Sequence, residues 1–153
     1  CLSGPKQNAK SYIQGVNLLS SMRLCSNVPA QSIIQTALGG IQSADELLLP
    51  GGRLFEQREV IYNELSAIDG ISVVKPDAAF YIFPKIDTQK IHINNDEKFA
   101  MDLLKKKYVL ISHGTGFNMP EPGYFRIVYL PDKEILHEAC VRLGSFLQTY
   151  SQF

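Results

Sequence analysis

The chain has 153 residues, 45% hydrophobic and 20% charged, which is enough apolar side chain to bury a core as one compact unit or as one domain with a piece of another. Lysine plus arginine and aspartate plus glutamate number 15 each, so there is no net field of the kind that gathers nucleic acid or anionic lipid. No apolar run approaches a membrane span and the first residues lack the apolar stretch of a signal peptide, so the expected setting is the cytoplasm and the expected partners are small molecules or other protein surfaces. Cys1, Cys25 and Cys140 are odd in number and far apart, which fits reduced thiols better than a disulfide framework.

In chain order, Pro5 opens a helix to about Arg23, with Ala9, Tyr12, Ile13, Val16 and Leu19 on one face. Pro29 opens a second through Ile33, Ile34, Ala37 and Leu38, weakened by Gly39-Gly40. "LPGGR" breaks the chain. A third helix runs from about Arg53, with Leu54, Ile61, Leu65 and Ile68 as its stripe, and Asp69-Gly70 stops it. The period then changes: residues 71–75 and 78–83 are β-branched and aromatic and read as strands. Asn94 with Glu97 forms a capping box for a helix to Lys107; 108–112 and 124–130 read as two more strands, and Leu136, Cys140, Leu143, Leu147 and Tyr150 mark a closing helix. The expected fold is α+β: a helical start, residues 1–49, then a ββαββα domain, 50–153, with a mostly antiparallel sheet covered by helices. The helical start has no strands of its own to pack on and is expected to lie against something else.

Candidate chemistry is sparse. His92, His113 and His137 lack metal-ligand spacing, so no metal site is expected. "HGTG" at 113–116 lacks the order of a phosphate loop and reads as a turn, and the three lysines 105–107 read as a solvated helix end. Arg126 stands apart. Alternation places it on one face with Tyr124, Val128 and Leu130, so the guanidinium lies among apolar neighbours and needs an anion, either an internal carboxylate or one brought by a ligand. A planar fork holds a carboxylate through two parallel hydrogen bonds.

The segments "SGPKQNAKSYIQG", "SMRLCSNVPAQSIIQTALGG", "PGGRLFEQR", "VVKPDAAFYIFPKID" and "GTGFNMPEPGYFRIVYLP" together resemble, in order and spacing, the C-terminal part of class I/II, fold-type I, pyridoxal-phosphate-dependent aminotransferases, with bacterial glutamate–pyruvate (alanine) and aspartate transaminases as the nearest kin. The resemblance implies that residues 1–49 are the tail of the large cofactor domain and 50–153 the small C-terminal domain. It implies that Arg126 grips the substrate α-carboxylate, and that the whole enzyme, a homodimer, moves an amino group between an amino acid (alanine, glutamate or aspartate) and a 2-oxo acid. The family's Schiff-base lysine sits in a Ser-x-x-Lys context that matches no lysine here, so pyridoxal 5'-phosphate and its direct ligands are expected outside these residues and the chain alone is expected to be inactive. Ala78 stands where many relatives have glycine. Arg23 resembles an arginine that in aspartate transaminases crosses the dimer interface to the distal carboxylate of the substrate, but it stands one position short of that spacing; the other reading is a charge that compensates the end of the first helix. Other fold-type I enzymes, lyases and synthases, and a non-catalytic α+β ligand-binding module are the alternatives.

Overall fold

A computed structural model describes residues 6–152, in two compact units that divide between Ser43 and Ala44. In the first, a 3-10 turn at Lys6–Ala9 leads into α1, Lys10–Ser21; the expected opening at Pro5, like Cys1, lies outside the described residues. The expected second helix is two short ones, α2 (Val28–Ser32) and α3 (Ile34–Gly39), interrupted at Ile33. Asn27 opens α2, its side-chain oxygen accepting from Ala30 N at 3.1 Å. None of the described residues of this unit is buried, and Leu18, Leu19, Leu24, Leu38 and Ile41 are exposed. The apolar stripe expected along the first helix is present in sequence but has no core of its own to enter.

The second unit is α+β. A single turn, α4 (Asp45–Leu48), precedes α5 (Arg53–Ser66), whose buried positions Gln57, Ile61 and Leu65 recur every four residues. The strands are shorter than expected: β1 is Ile71–Ser72, β2 is Tyr81–Ile82, and Lys85–Ile86 makes a further strand, β3, that folds back onto β1. A turn of helix that the pattern did not announce, α6 (Thr88–Ile91), is capped by Asp87, whose carboxylate accepts from Gln89 N and Lys90 N. α7 spans Asp96–Lys107 and its cap is Asn95, accepting from Lys98 N at 2.8 Å, not the expected Asn94. β4 is Ser112–His113 because Tyr108 takes a left-handed conformation at the end of α7 and ends that helix, leaving only the last part of the expected strand to pair. β5 (Phe125–Val128) and α8 (Lys133–Leu147) complete the chain.

All pairings are antiparallel. One sheet is the ribbon β1-β3; the other has the order β2-β5-β4, with β5 central, Tyr81 opposite Val128 and Ser112 opposite Arg126. The two faces of the three-stranded sheet differ sharply. Ile82, Phe125 and Tyr129 are buried beneath α5, α7 and α8 with Leu65, Phe99, Leu103 and Leu143, each burial contributing about 1.5–3 kcal/mol. The opposite face bears Arg126 with the partly exposed Tyr81 and Val128, and it is there that the site forms.

Candidate anion-binding site

The site begins with a strand held on both edges. Because β5 pairs with β2 and with β4, the Cα of Arg126 is fixed by ladders on either side, and its side chain rises from the face opposite the buried Phe125. Two aromatic rings meet it. The guanidinium carbon lies 4.5 Å from the Tyr81 ring centre and 4.2 Å from that of Phe117. Phe117 in turn meets Phe83 edge-on at 5.9 Å, Phe83 stacks on Tyr124 at 6.0 Å, and the Lys85 ammonium sits 5.1 Å from the Tyr124 ring.

Rings stabilise a cation through their faces, and a guanidinium donates along the in-plane N–H edges of its fork. Among the described residues no carboxylate pairs with Arg126, and its Nε is shielded from solvent without a hydrogen-bond partner. The internal ion pair that was one of the two sequence readings is therefore not what holds this residue. The result is a partly desolvated cation held over two aromatic rings. Such an arrangement matches a planar anion that accepts two parallel hydrogen bonds.

Both walls are supported by local structure. Tyr81 follows a tight turn in which Ala79 has φ +59°, and the Tyr129 hydroxyl donates to the Ala79 carbonyl at 2.9 Å while Tyr129 N donates to Phe80 O at 3.1 Å. The left-handed position of this turn is thus Ala79, next to the Ala78 singled out from the sequence. Burial pushes the Tyr129 hydroxyl above the usual phenol range, with the Arg58 charge opposing, so it remains a donor to that carbonyl. Phe117 closes the 3-10 turn Thr115–Phe117, the "HGTG" stretch expected to be a turn. Gly114 is required at its start: a Cβ there would lie 2.5 Å from Tyr124 Cβ. At the far end of β5, Gln57 Nε2 donates to Leu130 O at 3.0 Å and Pro131 O at 2.7 Å, and Arg53 adds a bond to Leu130 O.

Tyr81, Phe117 and Gln57 escaped the sequence reading. Gln57 had a signal, the four-residue spacing with Ile61 and Leu65, which marks a buried polar side chain. Arg23 belongs to the first unit, beyond the end of α1, where its Nε donates to Cys25 O at 3.4 Å. Among the described residues no group of three or more histidine, cysteine, aspartate or glutamate side chains is placed to hold a metal ion, and no helix is long and apolar enough to cross a membrane.

Comparison with known proteins gives a consistent result. The family model for class I and II aminotransferases matches residues 9–143. Glutamate-pyruvate aminotransferase AlaA of Haemophilus influenzae is 55% identical over 99% of this chain and 37% of its own length, and alanine aminotransferase of Mycobacterium tuberculosis 50% identical over 99% and 35%. Among solved structures, an aminotransferase from Escherichia coli superposes with a TM-score of 0.80 at 49% identity, over 99% of this chain and 38% of that one, and alanine aminotransferase from Pyrococcus furiosus with 0.70 at 39%, over 88% and 33%. The chain thus spans little more than a third of the length of these relatives. The match along residues 9–143, with such identities over nearly its whole length, means that the chain belongs to the class I and II aminotransferase family.

Proposed function

We propose that this chain is the C-terminal portion of a pyridoxal-phosphate-dependent aminotransferase, and that Arg126 binds the α-carboxylate shared by the amino acid and 2-oxo acid substrates. The observation that carries this reading is the cation itself: partly desolvated, over the rings of both Tyr81 and Phe117, and without a protein counterion among the described residues. Its contribution is orientation. Two parallel bonds to the carboxylate fix the plane and the direction of the substrate, while Tyr81 and Phe117 keep the guanidinium from turning and exclude water from its faces.

Pyridoxal phosphate supplies the electron sink for amino transfer. It needs an acid beside its ring nitrogen, and Asp96, the acidic side chain buried among the described residues, has both oxygens engaged by Thr115. Asp96 therefore does not fit that role, and what this chain's own residues do is bind and orient.

Alanine and glutamate are the proposed amino donors, since the relatives above carry those names. In the intact homodimer Arg23 would take the distal carboxylate of glutamate, which the methyl group of alanine does not require. The test is an assay of the full-length protein with alanine and 2-oxoglutarate. Stoichiometric pyruvate and glutamate are expected; release of ammonia or carbon dioxide would point to a lyase instead, and no turnover with a bound cofactor would refute the assignment. Borohydride reduction of the 153-residue chain with pyridoxal phosphate should leave no lysine stoichiometrically labelled.

A further inference from the structure

Phe117 presents a problem of its own. It is 41% exposed, it ends a three-residue 3-10 turn, and it has glycines at 114 and 116 beside it, so neither burial nor helical hydrogen bonding is enough to keep its ring on Arg126. Beside the edge contact with Phe83, a restraint from outside the turn comes from α7. Asp96, only 4% exposed, accepts from Thr115 N through Oδ2 at 2.8 Å and from Thr115 Oγ1 through Oδ1 at 2.7 Å. No lysine or arginine among the described residues pairs with it.

A buried carboxylate at the first position of a helix is ordinarily explained as a cap. That explanation is already taken here, because Asn95 caps α7 by accepting from Lys98 N. Asp96 instead faces out of the helix and clasps the neighbouring turn. The helix it belongs to is itself anchored: Phe99 and Leu103 are fully buried, and Phe99 meets Phe125, the residue before Arg126, at a ring separation of 6.1 Å. One helix therefore supports the strand that carries the arginine from below and, through Asp96, the turn that carries the stacking ring from the side.

We infer that Asp96 is a positioning residue for the Arg126 site: its clasp on Thr115 holds Phe117 against the guanidinium, so that Arg126 is ordered before an anion arrives. This rests on the reading of Arg126 as a carboxylate site. Without the clasp, binding has to immobilise a long side chain that is otherwise already fixed, which weakens it by about two- to tenfold.

The experiment is a propionate titration of the full 153-residue chain, followed through the Arg126 Nε–Hε resonance, which the two stacked rings shift by their ring currents. Wild type should bind and Arg126→Lys should not. Asp96→Ala should move the Hε resonance toward that of an unstacked arginine and weaken propionate by about two- to tenfold. Asp96→Asn, whose carboxamide oxygen still accepts from Thr115 N, should restore most of both. Thr115→Val, which removes one bond of the clasp and is isosteric, should lie between, and it decides the matter if Asp96→Ala does not fold. Wild-type binding with unchanged affinity and resonance in Asp96→Ala or, where that variant does not fold, in Thr115→Val would overturn this inference alone. Absence of propionate binding in wild type would overturn the Arg126 reading and this inference with it.

Discussion

Replacing Arg126 separates a binding arginine from a structural one, because the two roles make opposite predictions for activity and stability. Arg126→Lys keeps a positive charge that can still lie against Tyr81 and Phe117, but it loses the planar fork. Of the two parallel bonds to a carboxylate, an ammonium retains at most one in good geometry, and a hydrogen bond to a charged group contributes about 1.5–3 kcal/mol. With the loss of fixed orientation added, kcat/KM of the intact aminotransferase should fall by about 2–4 kcal/mol, or about 30- to 1,000-fold, with alanine and glutamate alike. Arg126→Met carries the stability half of the test. Removing one partner of a buried ion pair destabilises by about 3–5 kcal/mol, whereas Arg126 has no such partner among the described residues and its Nε is desolvated without a bond. The methionine variant should therefore unfold at the same denaturant concentration as wild type or higher, while amino transfer is lost. A methionine variant destabilised by several kcal/mol, or a lysine variant with near-normal kcat/KM for both amino acids, would refute the reasoning.

Ala79→Gly should relieve a left-handed alanine at φ +59° and stabilise by about 1 kcal/mol, raising the melting temperature by about 2–4 °C in calorimetry. The Cys140 thiol is pushed up to about 12 from an ordinary 9.0 by burial, with Glu64 adding to it, so the thiol form is favoured by folding. That contribution is complete below about pH 9 and lost as pH rises toward about 12; Cys140→Ala should flatten the decline in stability between pH 9 and 10, and iodoacetamide at pH 8 should label Cys25 and spare Cys140 in the native state. Arg23→Ala in the intact enzyme should impair glutamate far more than alanine, since only glutamate buries a second carboxylate that needs a partner; equal losses in kcat/KM would assign Arg23 to the end of α1 instead.

The elements that the sequence determined by itself are those whose own side chains carry the pattern. α5 and α8 are read from the three- and four-residue recurrence of Ile61 and Leu65 and of Leu136, Cys140 and Leu143, and they are buried along those stripes. Arg126 stands out for the same reason, because a charge inside an apolar alternation is visible without any structure. Tertiary structure decided what depends on partners distant in the chain. The expected strands shrink to short ladders because pairing requires a neighbour in register, and Lys85–Ile86 becomes a strand only where β1 lies beside it. Asn95 and not Asn94 caps α7, a one-residue choice that two adjacent asparagines cannot resolve from sequence. The environment of Arg126 is the clearest case. Tyr81 lies 45 positions before it and Phe117 nine (126 − 81; 126 − 117), on separate segments that only the fold brings to one guanidinium, and Asp96 reaches Thr115 from yet another. A pattern of period two or 3.6 reports which face a side chain takes; which groups meet on that face is set by loop closure and packing, which no local period encodes.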